Sequence, residues 1–282
     1  MTGRVEVRAV HRTRRLWALA ATALLLAPVA LAGPEKGSWW RPPVDVSQDG
    51  WRVEKLFWYT TIVCGIAFAM VFGALVIFSV KYRERPGHKA LYDHGTRRAS
   101  IMFTGVLALA VFLSLDMVLA GYSQKSIKEY LFNFPTGENV VRVEVMAQQW
   151  AWNFRYAGPD GEFNTADDVV TLNDMRMPVG RPVMVNLKSK DVIHSFYVPN
   201  FRIKHDANPG YVTRMWFQAK EAGKFEIACS QMCGWAHYKM KGDLTVLSEK
   251  DYESWMKDAA ADAARRHDPA DTEAMWGWKW VN

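Results

Sequence analysis

The sequence predicts a membrane-anchored protein of mixed class, in which a two-helix transmembrane hairpin precedes an all-β sandwich domain. Three observations support this prediction: two long apolar runs in the first half of the chain, a basic linker between them, and short strand-like runs in the second half. Half of the 282 residues are hydrophobic, and many of them are concentrated in these runs. The chain is therefore expected to divide into a membrane half and an exported half.

The first 32 residues have the pattern of a signal peptide. Arginines precede an apolar run at residues 16–32, which ends in the small-residue sequence Ala-Leu-Ala. A charged region, an apolar core and a small-residue cleavage site are the three parts of a secretory signal. We expect residues 1–32 to be removed and residues 33–55 to form an exported N-terminal segment. A retained membrane anchor is the alternative.

Two further runs are long enough to cross a bilayer, which takes about 20 apolar residues. Residues 56–80 carry no charged side chain, and residues 99–122 carry only Asp116, close enough to the end of the span to reach the interface. Residues 81–98 hold six Lys and Arg against two acidic residues, so the positive-inside rule makes this loop cytoplasmic. Residues 56–122 are thus predicted to be a hairpin in the bacterial inner (plasma) membrane, with the rest of the mature chain on the periplasmic or outer face.

Charge follows the same boundary. Residues 1–122 hold 15 Lys and Arg against 8 Asp and Glu, whereas residues 123–282 hold 20 against 21. The net charge of +6 therefore belongs to the membrane half. We expect no nucleic-acid binding, because the basic residues flank the spans and form no patch on the exported domain.

Residues 123–248 have the pattern of a sandwich or barrel domain. Val141, Val143 and Val145 alternate with polar residues, which is the period of a half-buried strand. Further short runs rich in Val, Ile, Phe and Tyr follow, and turn sequences such as Asn-Pro-Gly separate them. Residues 249–282 are predicted to be a C-terminal helix, over residues 249–266, and a tail.

An acidic loop at residues 158–168 interrupts the strand pattern. Its carboxylates could hold calcium, but their spacing does not match the EF-hand loop. A solvated turn is the favoured interpretation. The acidic residues are Asp160, Glu162, Asp167 and Asp168.

The sequence CSQMCGWAHYKM at residues 229–240 combines metal-binding side chains at fixed steps. Cys229 and Cys233 are followed by His237 and Met240. Exported cysteines usually form disulfides, but a disulfide needs neither the histidine nor the methionine. Thiolates, imidazoles and a thioether are ligands that proteins use for copper, whereas zinc makes no use of the thioether and carries no electrons. The motif therefore predicts a copper site for electron transfer.

The second cysteine in this motif favours two copper ions over one. Two thiolates can each bridge both ions, which leaves one histidine to cap each ion. The second histidine should come from a neighbouring strand. His194, which follows a strand-like run, is the candidate, and His205 is its competitor. One electron shared over two metals changes bond lengths little, which suits electron transfer.

Four segments, QQWAWNFRY, DVIHSFYVP, KHDANPG and CSQMCGWAHYKM, together with the two spans, resemble subunit II of the cytochrome c oxidases of the haem–copper oxidase superfamily. The resemblance covers essentially the whole mature chain. It implies a cupredoxin-like sandwich with a binuclear copper A centre, which accepts electrons from cytochrome c. Subunit I of the oxidase would then receive them at haem and reduce oxygen to water. The implied ligands are Cys229 and Cys233 as bridges, His194 and His237 as caps, Met240 as axial ligand, and the backbone carbonyl of Gln231.

The resemblance also implies roles on the surface. Trp150 is the implied point at which electrons enter, whereas Trp152 is expected to pack in the core. Asp206 resembles a residue of the docking surface for basic cytochrome c, where complementary charge raises the encounter rate. The acidic loop is a further candidate for this surface.

Gln231 departs from the family pattern, which commonly has a glutamate at this position. That glutamate helps to hold a magnesium ion at the contact with the catalytic subunit. A neutral amide is a poorer ligand for a hard cation, so magnesium binding is left open.

Two other functions remain open. A copper A subunit could serve a nitric oxide reductase of the same superfamily, and a copper site could belong to a copper-delivery module. Delivery proteins expose their ligands for exchange and need neither an electron-accepting tryptophan nor a docking surface. The sequence has no Cys-x-x-Cys-His haem-attachment motif, so the donor cytochrome is expected to be a separate protein.

Overall fold

The computed structural model describes residues 42–89, 92, 94–268 and 270. Contacts divide the chain into Met1–Val44 and Asp45–Asn282. Only residues 42–44 of the first unit are described, and they have no regular secondary structure. The predicted signal peptide, residues 1–32, and the tail beyond residue 270 lie outside the described residues.

Two long apolar helices begin the second unit. α1 is Trp51–Lys81 and α2 is Arg98–Leu131, and both are long and apolar enough to cross a membrane. Within the described chain, neither helix has a buried residue, so their apolar faces are free to contact lipid or other subunits. The predicted spans lie inside these helices. Each helix also continues into polar residues beyond its apolar run, because charged side chains are tolerated at the membrane interface.

The two helices meet at an irregular turn of α2. This helix contains π-helical turns at Phe112–Asp116 and Ile127–Leu131. Such turns interrupt the regular backbone ladder of an α-helix. In the first of them, the carbonyl oxygen of Ser114 accepts a hydrogen bond from the hydroxyl of Tyr59 on α1. This bond gives the hairpin a polar contact between its helices.

The strands that follow the helices form a β-sandwich. In the described part of the chain it has two five-stranded sheets. The strands are β1 Val141–Gln148, β2 Ala151–Tyr156, β3 Val169–Leu172, β4 Asp174–Pro178, β5 Pro182–Ser189, β6 His194–Val198, β7 Ile203–Ala207, β8 Thr213–Gln218, β9 Gly223–Cys229 and β10 Lys241–Leu247. One sheet has the order β3-β2-β1-β5-β8, and the other has the order β4-β10-β9-β6-β7. The fold class predicted from the sequence, a helical hairpin followed by a sandwich, is confirmed.

The core lies between the two sheets. Buried and half-buried residues alternate along the whole of β5, as expected for a strand that presents one face to a core. Phe154 and Phe217 from one sheet and Phe196 and Ile227 from the other are fully buried. Trp152 is also fully buried, and its ring packs against Phe196 at a centroid distance of 5.4 Å. Trp152 therefore has the packing position expected from the sequence.

The acidic loop is anchored through a buried ionic cluster. Arg155 is fully buried and donates hydrogen bonds to the carboxylate of Glu144. The carboxylate of Asp168 lies 3.8 Å from the Arg155 guanidinium and accepts a 2.7 Å hydrogen bond from the backbone N–H of Asn164. Burial raises the pKa of Glu144 to about 7, although the positive charge of Arg155 opposes this rise. The expected solvated turn is therefore wrong for Asp168, which is buried.

The C-terminal helix, α3, covers Glu249–Arg266, the range expected from the sequence. The hydroxyl oxygen of Ser248 caps it by accepting a hydrogen bond from the backbone N–H of Asp251. Trp255 of α3 packs edge-on against Tyr156 of β2 at 5.3 Å. This contact holds the helix against the sandwich.

The membrane helices contact the sandwich through specific pairs. Glu54 of α1 forms a 2.5 Å ion pair with Arg202 in the turn between β6 and β7. The indole N–H of Trp216 on β8 donates a 2.9 Å hydrogen bond to the carbonyl oxygen of Tyr130 at the end of α2. The rings of Tyr130 and Trp216 also lie 4.6 Å apart. The sandwich is thereby held against both helices.

Candidate metal centre

The predicted metal ligands lie on one loop and one neighbouring strand. We call residues 230–240 the metal loop; it connects β9, which ends at Cys229, to β10. These strands pair in antiparallel fashion, and the backbone N–H of Cys229 donates a 3.1 Å hydrogen bond to the carbonyl oxygen of Met240. A 3-10 turn at His237–Lys239 brings the chain back toward the cysteines. The residues of the motif thus form a closed loop, and their donor atoms lie on its inner side.

Sulfur and nitrogen atoms converge inside this loop. The two cysteine Sγ atoms are 3.7 Å apart. His194 Nδ1 lies 3.9 Å from the Sγ of Cys229 and 3.1 Å from the Sδ of Met240. On the other side of the pair, the Sγ of Cys233 lies 3.5 Å from His237 Nδ1 and 3.8 Å from the Sδ of Met240. All five side chains meet at one place.

Most of these donor atoms are shielded from water. His194, Cys229, Cys233 and Met240 are buried, and His237 is half-buried. Both cysteines are free thiols, and their separation is well beyond the ~2.05 Å of a disulfide. The carbonyl oxygen of Gln231 lies 3.2 Å from the Sγ of Cys229.

His194, Cys229 and Cys233 also form the one group of three His, Cys, Asp or Glu residues in the described part of the chain whose ligand atoms all lie within 4.8 Å of one another. The arrangement is compatible with a bound copper ion, because these are soft sulfur and imidazole donors.

The two thiols differ in acidity. Burial opposes ionisation of Cys229, but hydrogen bonds from His194 and the backbone outweigh it and lower the pKa of this thiol to about 6. Burial and the adjacent charge of Cys229 raise the pKa of Cys233 to about 12. Without a cation, therefore, only one of the thiols ionises readily. A metal cation between the sulfurs would favour both thiolates.

Asp191 holds the ring of His194 in place, a role that the sequence analysis did not assign. Its Oδ1 lies 2.8 Å from His194 Nε2, which leaves Nδ1 directed at the sulfur atoms. Its Oδ2 accepts a 2.7 Å hydrogen bond from the backbone N–H of Gln149. Metal-binding histidines usually have such a partner on the second ring nitrogen. The sequence did contain a signal for this role, because Asp191 lies three residues before His194.

Trp150 lies in the turn between β1 and β2, directly against the metal loop. Its indole N–H donates a 3.2 Å hydrogen bond to the carbonyl oxygen of Cys233, and the side-chain amide of Gln149 donates a 2.7 Å bond to the same oxygen. The ring of Trp235 covers it edge-on at a centroid distance of 5.4 Å. Trp150 is consequently half-buried, and Trp235 is the outer ring.

Gly234 permits this close approach. Its φ of +124° is unfavourable for other residues, and a Cβ at this position would lie 2.9 Å from Gln149 Nε2 and 3.0 Å from the Trp150 ring. The residue is therefore required both by its backbone conformation and by the space available.

His205 and Asp206 lie outside the ligand cluster. His205 Nδ1 accepts a 2.9 Å hydrogen bond from the backbone N–H of Asp206. The carboxylate of Asp206 accepts a 2.6 Å bond from the hydroxyl of Ser195 and lies 3.8 Å from the ammonium of Lys204. Of the two histidines considered from the sequence, the structure brings His194 to the cysteines. Asp206 is half exposed but already has partners.

The acidic loop does not lie beside the metal loop. β2 starts beside Trp150 and runs six residues, from Ala151 to Tyr156, before the loop begins. A strand of this length carries the chain roughly 17 Å away. Residues 158–168 therefore lie at the opposite end of the sandwich.

Comparison with known proteins places the chain in a family. The family described as "Cytochrome C oxidase subunit II, periplasmic domain" matches residues 141–246, which include the strands and the metal loop. An alternative cytochrome c oxidase subunit 2 of Bradyrhizobium diazoefficiens is 31% identical over 246 residues, which cover 78% of this chain and 83% of the relative. A cytochrome c oxidase subunit 2 of Alkalihalophilus pseudofirmus is 29% identical, with 77% of this chain and 60% of the relative covered.

A solved structure, the periplasmic domain of subunit II of cytochrome oxidase of Bradyrhizobium japonicum, is 28% identical with a TM-score of 0.40 and covers 46% of this chain and 99% of its own. The family match over residues 141–246 spans the strands of the sandwich, so the sandwich is the cupredoxin-like domain of this family. From the extent and identity of the first relative, the chain belongs to the cytochrome c oxidase subunit II family of the haem–copper oxidases.

Proposed function

We propose that this chain is the electron-accepting subunit of a cytochrome c oxidase. In this function it takes electrons from cytochrome c and passes them to haem in a separate catalytic subunit, where oxygen is reduced to water. The observation that carries the proposal is the convergence of two thiols, two imidazoles and a thioether in one buried cluster. The relatives named as oxidase subunits support membership of an oxidase complex.

The donor set fits a binuclear copper centre. Cys229 and Cys233, whose sulfurs are 3.7 Å apart, would supply two thiolates to such a centre, and His194 and His237 would each supply an imidazole. Met240 would add a thioether, and soft donors of this kind select copper. When bound, a copper pair of this type takes up and releases one electron at a time. The backbone carbonyl of Gln231 is the remaining donor in reach.

The protein itself supplies a rigid cluster of ligands that is shielded from water. Adjacent strands hold both ends of the metal loop, and Asp191 fixes the ring of His194. Fixed ligands change position little when the charge of a site changes, which favours rapid electron transfer. Buried ligands also argue against copper delivery, since exchange requires exposed donors. Trp150 offers a direct route inward, because its indole is hydrogen-bonded to the backbone of Cys233.

The location follows from the helices and their linker. α1 and α2 fit membrane anchoring by length and composition. By the positive-inside rule, the basic linker at residues 81–98 supports a cytoplasmic loop and hence a sandwich on the periplasmic or outer face of the inner membrane.

Electron paramagnetic resonance of the full chain, purified in detergent and loaded with copper, tests the metal centre. We expect a hyperfine pattern of one electron shared equally over two copper nuclei. Cys229→Ser should abolish this pattern, whereas Cys64→Ser, which removes the exposed thiol on α1, should leave it unchanged. A single-copper pattern in the wild-type chain would contradict the binuclear centre.

The purified complex tests the partner chemistry. We expect cytochrome c to reduce the copper site and oxygen to be consumed in the same preparation. Copper bound without reduction by cytochrome c would instead indicate delivery. Consumption of nitric oxide in place of oxygen would assign the complex to the related reductases.

A further inference from the structure

A small cavity at the end of α1 is surrounded by positive charge. α1 ends at Lys81, directly after the uncharged residues 56–80. The linker that follows α1 encloses a cavity of about 200 Å³. We call this cavity the basic pocket, and its lining residues are Lys81, Arg83, Arg85, Pro86, Gly87 and His88. Three of the six carry an ammonium or guanidinium group, and a fourth carries an imidazole.

A tight turn gives the basic pocket its shape. The backbone N–H of His88 donates a 3.2 Å hydrogen bond to the carbonyl oxygen of Arg85. Pro86 and Gly87 lie between these residues, and the φ of Gly87 is +80°. Proline followed by a residue of positive φ is the arrangement of a type II turn. The turn reverses the chain just beyond α1, so Arg85 and His88 line the same cavity as Lys81.

The charge of the basic pocket is not neutralised by the chain itself. Residues 81–89, all of which the structure describes, contain one acidic residue, Glu84, and it does not line the cavity. Among the described residues, Lys81, Arg83 and Arg85 form no ion pair with a carboxylate. The positive-inside rule explains basic residues in such a linker, but it does not require them to enclose a cavity. Neighbouring cations repel one another, so an anion in the cavity would be stabilised by all three.

The position of the basic pocket favours a lipid over a free anion. Ile77, Phe78 and Val80 precede Lys81 on α1 and are 59%, 54% and 56% exposed. A lipid whose headgroup occupies the pocket can therefore lay its acyl chains along these side chains. Tyr82 is also exposed, and the ammonium of Lys81 lies 5.4 Å from its ring. Tyrosines at the end of an apolar span are typical of the headgroup level of a bilayer.

We propose that the basic pocket binds the phosphate of an anionic phospholipid headgroup. Guanidinium groups suit phosphate because their N–H donors form a fork that matches two phosphate oxygens. Arg83 and Arg85 supply two such groups, and Lys81 adds an ammonium group at the end of the span. A zwitterionic lipid offers the same phosphate together with a cation, which the pocket repels. The proposal requires α1 to be anchored in a membrane, but it does not depend on the electron-accepting function.

Native mass spectrometry of the full chain, purified in a nonionic detergent and loaded with copper, tests this preference. The chain is mixed with equal amounts of phosphatidylglycerol and phosphatidylcholine, and the lipids that remain bound are counted. We expect phosphatidylglycerol to be retained over phosphatidylcholine by about tenfold or more, with a preference that falls as salt is added. Equal retention of the two lipids would overturn the proposal.

The double variant Arg83→Gln with Arg85→Gln assigns the preference to named residues. Each arginine near an anionic surface contributes roughly fivefold to affinity, so retention of phosphatidylglycerol should fall by about tenfold or more. Arg265→Gln with Arg266→Gln is the matched control, because these exposed arginines end α3 and their replacement changes the net charge equally. The copper spectrum of each variant checks that the sandwich is folded. Equal retention by the two double variants would contradict the proposal.

Gly87→Val tests the turn without changing any charge. A β-branched side chain is strained at a φ of +80°, so the turn should open and retention should fall by about fivefold or more. Gly137→Val, at a φ of +113° outside the linker, controls for backbone strain and should retain the lipid. Full retention by Gly87→Val would show a diffuse attraction to charge, and the defined pocket would be refuted.

Competition with inorganic phosphate distinguishes a lipid headgroup from a soluble anion. A large excess of phosphate should leave the retained phosphatidylglycerol in place, because free phosphate gains nothing from the apolar residues of α1. Displacement of the lipid by phosphate would assign the pocket to a soluble anion and overturn the lipid proposal.

Photolabelling tests the pocket in the assembled protein. Phosphatidylglycerol with a photoreactive headgroup is incorporated into lipid nanodiscs that contain the purified complex, and the labelled peptides are identified after irradiation. We expect label on residues 81–88 and less label there in Arg83→Gln with Arg85→Gln. Absence of label from this segment in the wild-type complex would show that another subunit covers the pocket, and the proposal would fail.

Discussion

The indole N–H of Trp150 donates a 3.2 Å hydrogen bond to the carbonyl oxygen of Cys233. The bond joins the turn between β1 and β2 to the backbone of a candidate metal ligand. Sequence separation hides this relationship, because the two positions are 83 residues apart in the chain. It provides a direct contact between a half-buried aromatic ring and the backbone of the metal loop.

Replacement of this indole should separate electron transfer from metal binding. In Trp150→Ala we expect the copper spectrum to persist, since Trp150 supplies no ligand atom, while reduction by cytochrome slows by roughly tenfold or more because the contact path is broken. Stopped-flow absorbance of the copper site measures this rate. Trp255→Ala on α3 is the control for loss of an indole away from the site. Equal slowing in both variants would show a general structural effect.

Removal of the Asp191 carboxylate should weaken metal binding. In Asp191→Asn the ring of His194 loses its charged partner at 2.8 Å, and we expect copper affinity to fall by about 10- to 100-fold. Competition against a chelator of known affinity measures the change. Asp206→Asn, which alters a nearby carboxylate outside the ligand cluster, should bind copper like the wild type. An unchanged affinity in Asp191→Asn would show that the ring of His194 is held by packing alone.

The backbone of the metal loop can be tested at Gly234. Gly234→Ala forces a Cβ to within 3.0 Å of the Trp150 ring at a φ of +124°. We expect a loss of stability of about 1–3 kcal/mol and a perturbed copper spectrum. Gly137→Ala controls for backbone strain, because Gly137 has a φ of +113° with nothing within 4 Å of its Cβ position. A normal copper spectrum in Gly234→Ala would contradict the tight packing.

Glu144 should make the stability of the sandwich depend on pH. Burial raises its folded-state pKa to about 7, above the value of 4.5 for an exposed glutamate. The folded chain therefore holds the proton more tightly than the unfolded chain. The resulting stability, about 3 kcal/mol, is fully present below pH ~4.5 and is lost as the pH rises through about 7.

Glu144→Gln checks this linkage, because an amide cannot titrate. The free energy of unfolding is measured by urea unfolding across this range for both proteins. As the pH rises, the value for the wild type should fall relative to the value for the variant. Glu226→Gln, which alters an exposed partner of Lys241, should show no such trend. A difference that is independent of pH would show that Arg155 keeps Glu144 ionised throughout.

Local patterns were sufficient to predict the long helices and the donor residues of the metal loop. The apolar runs predict α1 and α2 because crossing a bilayer requires length and hydrophobicity, both of which can be counted along the chain. The steps from Cys229 to Met240 place donors on one short loop, so their proximity needs no knowledge of distant contacts. The C-terminal helix, Glu249–Arg266, is likewise marked by its own residues.

Such local patterns do not predict contacts between residues that are distant in the sequence. His194 and His205 both come from strand-like segments, and only the pairing of β6 with β7 and β9 shows that His194 faces the cysteines. The direction of β2 carries the acidic loop to the end of the sandwich away from the metal loop. Trp235 likewise meets Trp150 only through the fold.

The sequence by itself determined the division into an apolar helical half and a strand-rich half, and the chemistry of the donor atoms. These properties depend on composition and on short-range periodicity. The tertiary structure alone decided which histidine completes the cluster and which aromatic ring is outermost. Those choices depend on strand order and register, which bring together residues far apart in the chain.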